Sequence, residues 1–158
     1  MSDEVQWDPN AVLIQEAYTA ATLIAALVER ELHARGVPSQ LFSLLGWIRV
    51  LQPVAPGHLS FSTGIPPTTL RDYLKRLVER GDIRRTKNPS DGRSYLVVLT
   101  AAGMRTVDRG RPAIGDAFRK LEPYLARDAS EYARYATELR EALQRATLMP
   151  VQAAVRSS

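Results

Sequence analysis

Residues 64–103, GIPPTTLRDYLKRLVERGDIRRTKNPSDGRSYLVVLTAAG, decide the fold because a helical pattern passes directly into a hairpin pattern. Three leucines recur at helical spacing after Pro67, a residue suited to a first helical turn, and Gly81 is a helix stop. Residues 83–87 and 95–99 have strand composition and enclose a loop of about six residues rich in turn formers. The stretch therefore predicts a helix followed at once by a β-hairpin.

The predicted helix has one apolar stripe, made by Leu70, Leu74, Leu77 and Val78. The opposite face then carries hydroxyl and charged side chains. A helix fits the major groove of DNA, where its N-terminal residues reach base edges and threonine or arginine can bond bases or phosphates. We therefore expect DNA contacts from this face, namely from Pro67, Thr68, Thr69, Arg71, Asp72, Lys75 and Arg76.

The predicted hairpin would hold cations on a stiff projection beside that helix. Arg93 lies at its tip, and Asp91 is expected to hold the arginine side chain or to form an Asx-type turn. Such a wing can enter a minor groove or bind its phosphates. By itself the pattern also fits an ordinary surface hairpin, but its place after a basic helix favours DNA binding. The wing residues expected at DNA are Arg84, Arg85, Lys87, Asn88, Ser90, Asp91 and Arg93.

The distribution of charge supports a polyanionic partner. Residues 1–64 hold three Lys/Arg against six Asp/Glu, whereas residues 65–100 hold eight against four. A basic segment concentrated in this way is typical of a nucleic-acid-binding face. The chain has no cysteine and two histidines, and no Ser/His/Asp set or phosphate loop is present. We therefore predict no enzymatic activity, no catalytic residues, no bound metal and no cofactor.

The remaining segments predict further helices around this core. One helix runs from Pro9 to Arg35, apolar on more than one face, and a second opens at Pro38-Ser39 and ends before Pro53. Residues 58–63 form a short helix closed by Gly64. The other expectations are a helix capped by Thr100 with a kink near Pro112, a last helix over 129–148 capped by Asp128 and Glu131, and a frayed tail after Pro150.

The N-terminal sequence predicts a protein outside the membrane. Its first ten residues, MSDEVQWDPN, are acidic and lack the basic start and apolar core of a secretory signal. No apolar run is expected to reach the roughly 20 residues needed to span a bilayer. We therefore predict a cytoplasmic protein with no membrane partner.

Residues 64–103 resemble the MarR family of bacterial transcriptional regulators. The resemblance rests on Gly64-Ile65, on the segment Leu77 to Gly81, on Arg85, on Asp91-Gly92-Arg93 and on the closing Leu99-Thr100-Ala101-Ala102-Gly103. Three features depart from the family pattern. Pro66 replaces the usual serine or threonine cap, Asp82 stands where an apolar residue is common, and residues 56–64 lack the usual Glu-Leu-Ala pattern.

The resemblance implies a mainly α fold with a small β-hairpin wing, in which a winged helix-turn-helix domain is joined to a helical dimerisation domain. It implies an N-terminal dimerisation helix over 1–37, a DNA-binding domain over 38–103, and C-terminal dimerisation helices and tail over 104–158. The apolar first and last helices support a homodimer independently, although packing within one subunit would use the same residues.

The resemblance further implies a regulator, most simply a repressor, that binds double-stranded DNA at a palindromic operator and is released by a small-molecule effector. Trp47, Arg49, His33 and His58 are the candidates to line an effector pocket, although a tryptophan in an apolar helix is more often part of the core. The alternative is a winged-helix module that binds a protein partner, or DNA architecturally, without operator specificity.

Overall fold

The computed structural model describes residues 8–148. These form six α-helices, two strands and one short 3-10 turn at Glu122–Tyr124. The mainly α architecture with a small hairpin agrees with the fold expected from the sequence. The elements are α1 (Pro9–His33), α2 (Ser39–Leu51), α3 (Pro56–Thr63), α4 (Pro67–Glu79), β1 (Ile83–Lys87), β2 (Tyr95–Leu99), α5 (Ala101–Leu121) and α6 (Ala129–Leu148).

Two glycines end the helices of the helix-turn-helix unit. Gly64 follows α3 with φ 70°, and Gly81 follows α4 with φ 75°. Side chains with a Cβ rarely adopt this left-handed backbone conformation, so glycine is the residue suited to both turns. Both predicted helix stops are confirmed, and they turn the chain from α3 into α4 and from α4 into β1.

The wing is an antiparallel hairpin extended by one bridge. β1 and β2 pair from Ile83 opposite Leu99 to Lys87 opposite Tyr95, as the sequence predicted. Val54 adds an isolated antiparallel bridge to Val97, with backbone N–H···O distances of 3.1 and 2.8 Å in the two directions. The bridge fixes the hairpin to the segment between α2 and α3, so the wing is not a free-standing projection.

One core lies beneath the helix-turn-helix and the wing. Leu70, Leu74 and Leu77 of α4 are at most 2% exposed and pack with buried residues of α2, α3, both strands and α5. The expectation for Val78 is wrong, because 38% of this residue stays exposed. At 100° per residue it follows Leu77 around the helix and leaves the buried stripe.

A second, smaller core attaches α1 to the rest of the chain. Leu32 of α1, Val37, Phe42 of α2 and Ala113 of α5 form this cluster. Charged groups add to it, since Glu31 accepts a hydrogen bond from Lys120 and Arg35 pairs with Asp116. Only the C-terminal part of α1 is held in this way.

Most of α1 is exposed within a single chain. Leu13, Tyr18 and Leu23 are 55%, 77% and 66% exposed. The expectation that no segment is apolar enough to span a bilayer is wrong, because Ala11–His33 meets the criteria of length and composition over 23 residues. The reason is that residues 11–28 contain one charged residue, Glu16, among many alanines and aliphatic residues. One such helix is weak evidence for a span, because core helices of soluble proteins meet the same criteria.

The other boundaries follow local signals. α1 ends at His33, two residues before the predicted end, where the chain turns through Gly36 at φ 62°. The Thr100 hydroxyl accepts from the Gly103 N–H at 3.1 Å and caps α5, as predicted. α5 continues through Pro112 as one helix, and α6 begins at Ala129 after Asp128. The predicted tail after Pro150 lies outside the described residues.

Candidate nucleic-acid interface

Helix α4 begins at two prolines. Pro66 occupies the N-cap position with φ −55° and ψ 143°, and no side chain caps the helix. The Leu70 N–H donates to the Pro66 carbonyl at 2.9 Å. Because neither proline has an N–H, the first backbone donors of α4 belong to Thr68 and Thr69. These are the groups that a phosphate at the helix N-terminus would meet.

The outer face of α4 carries the charged residues that the sequence predicted there. Arg71, Asp72, Lys75 and Arg76 are exposed, Thr68 is exposed and Thr69 is half-buried. Lys75 has Glu79 at 3.9 Å, an exposed pair one helical turn away. Such a pair contributes little stability and leaves the ammonium accessible to a phosphate.

Few cations of this region are neutralised within the chain. Between residues 65 and 100, Lys75 and Arg80 pair with Glu79 and Asp82. The other six lysines and arginines have no carboxylate partner in the part of the chain that the structure describes, and all six are exposed residues predicted to contact DNA. These six are Arg71, Arg76, Arg84, Arg85, Lys87 and Arg93.

The wing tip is a tightly hydrogen-bonded turn. The Asp91 Oδ1 accepts from the Arg93 N–H at 3.0 Å, and the Asn88 Oδ1 accepts from the Ser90 N–H at 3.0 Å. Asn88 also donates its amide to the Ser94 hydroxyl at 2.7 Å across the loop. Asp91 therefore forms the Asx-type turn, the second of the two roles considered from the sequence. The turn holds the exposed Arg93 at the tip of the hairpin.

The stem of the wing holds its cations in two ways. The Arg85 guanidinium lies over the Tyr95 ring, 4.5 Å from the ring centroid. This cation–π contact restrains the side chain, whereas Arg84 and Lys87 extend into solvent. Arg85 lies opposite Val97 on the hairpin and so shares the face that buries Val97. Of the three stem cations, Arg85 is therefore the one with the most restricted position.

The four candidates for an effector pocket lie on three different helices. Trp47 is half-buried and packs against the main core, which agrees with the core interpretation. Arg49 donates to Asp108 of α5 at 2.7 Å, whereas His33 and His58 are exposed. The cavities described next to α1 and at the junction of α5 and α6 are lined by other residues, among them Tyr18 in the first and Phe118 in the second.

The described residues offer no metal centre. Within residues 8–148, no group of three or more His, Cys, Asp or Glu side chains is arranged to hold an ion. Two carboxylates near the interface have other partners, since Glu79 pairs with Lys75 and Asp91 accepts from the Arg93 N–H.

Sequence reasoning underrated one residue next to this interface. In the sequence Asp82 is only a departure from an apolar pattern, whereas in the structure it is 3% exposed and hydrogen-bonded to Arg80 and to Thr106 of α5. A buried carboxylate between helix and wing has no local sequence signal beyond its being acidic where an apolar residue is expected.

Comparison with known proteins agrees with this geometry. Residues 37–95 match the model of the MarR family. Wild-type MarR from E. coli in its apo form is similar over 87% of this chain and 98% of its own, with 26% identity and a TM-score of 0.66. A cysteine-to-serine mutant of E. coli MarR complexed with operator DNA is similar over 83% and 93%, with 26% identity and a TM-score of 0.71.

A third solved structure shares the fold over nearly the whole chain. It is a MarR family transcriptional regulator from Streptomyces coelicolor in complex with DNA, which covers 97% of each chain with 23% identity and a TM-score of 0.71. A search of curated proteins found no match.

Proposed function

Because residues 37–95 are a MarR-family domain, we propose that this protein regulates transcription by binding a palindromic DNA operator as a homodimer. Its role is regulatory and not catalytic. α4 enters the major groove with Thr68, Thr69 and Arg71 at base edges, and the wing carries Arg93 to the adjacent minor groove or its phosphates. It follows from this role that the protein works in the cytoplasm.

The observation that carries the proposal is a cationic surface left unneutralised by the chain itself. Arg71 and Arg76 on α4 and Arg84, Lys87 and Arg93 on the wing have no carboxylate partner among residues 8–148. A solvated surface serving only solubility is usually of mixed sign, with opposite charges interspersed. Here the unpaired cations belong to a helix and the hairpin that directly follows it, the two elements with which winged helices contact DNA.

The homodimer is supported by apolar surface that a single chain cannot bury. Leu13, Tyr18 and Ile24 of α1 and Tyr135 and Leu143 of α6 are each at least 44% exposed. Exposed apolar surface on two long helices is typical of an interface between copies of a chain. A two-fold axis through these helices would place two α4 helices about 34 Å apart, matching half-sites one DNA turn apart.

We include repression and release by a small molecule in the proposal. A dimer bound over a promoter blocks polymerase, and a ligand that binds better to another spacing of the two α4 helices weakens operator binding. Of the four candidate pocket residues, Arg49 supports this part best, because its pair with Asp108 crosses from α2 to α5. A ligand displacing that contact would act between the DNA-binding and dimerisation segments.

The test is the ratio of operator to random-DNA affinity at fixed salt. Genome-wide footprinting identifies bound sites, and fluorescence anisotropy then measures affinity for the best site and for a shuffled duplex. We expect at least about 1,000-fold preference and a palindromic footprint. Equal affinity for both duplexes would instead favour the alternative, a winged-helix interaction or architectural module without operator specificity. Sedimentation of the free protein reports the oligomeric state.

A further inference from the structure

Asp82 is a buried carboxylate at the point where three elements meet. It lies between the end of α4 and the start of β1, it packs against α5, and it is 3% exposed. A carboxylate removed from water is costly unless hydrogen bonds compensate it. Its partners therefore show which parts of the molecule it holds together.

The two oxygens of the Asp82 carboxylate bind a residue of α5 and the residue that caps α4. Oδ1 accepts from the Thr106 hydroxyl of α5 at 2.9 Å, and Oδ2 accepts from the Arg80 Nε at 2.8 Å. Arg80 is the C-cap of α4, and Thr106 is itself 4% exposed. The carboxylate thus joins the C-terminal end of α4, the recognition helix that is proposed to enter the major groove, to the second turn of α5.

The backbone of Asp82 makes the same connection. Its N–H donates to the Leu77 carbonyl of α4 at 2.9 Å, and its carbonyl accepts from the N–H of Thr100, the α5 cap, at 3.0 Å. A Cβ on Gly103 would lie 2.0 Å from that carbonyl oxygen, so α5 can approach this closely only with glycine there. Asp82 is fixed between the two helices by both its main chain and its side chain.

α5 also contacts the winged helix at other places, and one of these is the main core, where Val107 of α5 lies in the same cluster as the α4 leucines. Arg49 and Asp108 join α2 to α5 through side chains that are 33% and 57% exposed, and exposed pairs contribute little. Phe42 packs on Gly110 in the smaller apolar core. The bond from Thr106 to the Asp82 carboxylate is buried and is strengthened by its low-dielectric surroundings, and the bond from Arg80 connects the same carboxylate to the C-cap of α4.

We propose that Asp82 is a positioning residue, whose carboxylate fixes the angle between the recognition helix and α5 and thereby the spacing of two recognition helices on DNA. This inference rests on the proposed function for its effect on DNA. α4 has 13 residues, so its N-terminal end lies about 20 Å from Asp82, and a rotation of about 10° there displaces the end by about 3 Å. Base contacts do not survive such a displacement.

Variants at Asp82 can be chosen so that the chain still folds. The Thr106 hydroxyl has a second acceptor, the Ala102 carbonyl at 3.2 Å, so it is not orphaned when the carboxylate is removed. In Asp82→Asn the side-chain oxygen can still accept from the Thr106 hydroxyl. The NH2 group then replaces Oδ2, so Arg80 loses its acceptor. Asp82→Leu removes both contacts. Arg119→Gln is the control, because it breaks an ion pair with Asp116 that lies within α5 and joins α5 to no other element.

The chain has no cysteine, so two engineered ones can be labelled without background. Thr68→Cys and Arg111→Cys place spin labels at the start of α4 and on α5, both at exposed positions. Labelled chain is diluted with excess unlabelled chain, and the distance distribution is measured by pulsed electron resonance. Operator affinity, circular dichroism and melting temperature are measured on the same Asp82 variants without labels.

We expect Asp82→Leu to shift or broaden the distance distribution and to weaken operator binding by about 10-fold, with helix content and cooperative melting retained. Arg119→Gln should leave distances and affinity unchanged. Unchanged distances and affinity in Asp82→Leu would overturn the inference. If Asp82→Leu does not fold, the distance distribution and the operator affinity are measured on Asp82→Asn and Thr106→Val instead. Unchanged values in both variants would equally overturn the inference. If the unaltered protein prefers no operator, the proposed function is wrong. The distance measurement still tests whether Asp82 fixes the angle between α4 and α5.

Discussion

The ring of Phe42 lies directly on Gly110, so that a Cβ at Gly110 would stand 2.2 Å from the Phe42 Cε2. This close approach brings α2 and α5 together in the small core that also holds Leu32 of α1. Gly110→Ala should therefore destabilise the protein by about 1–3 kcal/mol, because the ring or the helix must shift. Urea unfolding followed by circular dichroism measures the change.

Gly115→Ala is the matched control in the same helix. Its nearest neighbour would be the flexible end of Arg119, at 3.6 Å. Alanine favours helix over glycine by about 0.5–1 kcal/mol, so we expect this variant to be slightly more stable. Equal stability of the two variants would contradict the proposed tight contact of Phe42 with Gly110.

Arg93→Ala should weaken binding to all DNA sequences. Arg93 is exposed at the tip of a turn fixed by Asp91, and a phosphate contact made there carries no base information. Its loss should lower the slope of log affinity against log salt by about 1. Arg111→Ala removes an exposed arginine from α5 and serves as the control. If both variants have the affinity and salt slope of the unaltered protein, the wing does not contact DNA.

Arg71→Ala should reduce specificity more than overall affinity. Arg71 lies two residues beyond Thr69 on the exposed face of α4, where a guanidinium can pair with a guanine edge. We expect a loss of about 1–3 kcal/mol on the operator and relaxed preference at particular base pairs. Anisotropy titrations with single-substitution operators measure this. Equal losses on operator and random DNA would assign Arg71 to phosphate binding.

Leu23→Asp should dissociate the homodimer without unfolding the chain. Leu23 is 66% exposed in the single chain, so a carboxylate there meets water in the monomer but is buried unpaired in the dimer. Sedimentation should show a shift to monomer, with operator binding lost as a consequence. Val50→Asp, at a 77% exposed position of α2, should stay dimeric. If the Leu23→Asp variant remains a dimer, Leu23 lies outside the dimer interface.

The ion pairs between α1 and α5 should make stability depend on pH. The hydrogen bond from Lys120 lowers the pKa of Glu31, burial opposes this, and the charges of Lys120, Arg35 and Arg30 lower the pKa further. A carboxyl with a lowered folded-state pKa stabilises the fold above its unfolded-state pKa, and this contribution is lost as pH falls through the folded-state pKa.

Glu31→Gln is the variant that tests this dependence. We expect it to be less stable than the unaltered protein at neutral pH and to approach it as the pH falls below about 4. Melting temperatures measured for both proteins across the acid range provide the comparison. A stability difference that stays constant with pH would mean that the charge of Glu31 is not what holds α1 to α5.

Local sequence determined most of the elements. The strands at 83–87 and 95–99 and the last helix at 129–148 agree with the sequence prediction, because helical spacing, alternation and turn residues act over a few neighbours. Gly64 and Gly81 were predicted for the same reason. The basic outer face of α4 also follows from spacing alone, since three inward leucines fix where its other side chains lie.

Only the tertiary structure decided which distant residues meet. Asp82 with Thr106, Val54 with Val97 and Phe42 with Gly110 join positions far apart in the chain. Such pairs depend on how apolar faces are buried together, and no pattern over neighbouring residues encodes that arrangement. An acidic residue at position 82 therefore looked like a departure in the sequence, whereas in the folded chain it lies between the recognition helix and α5.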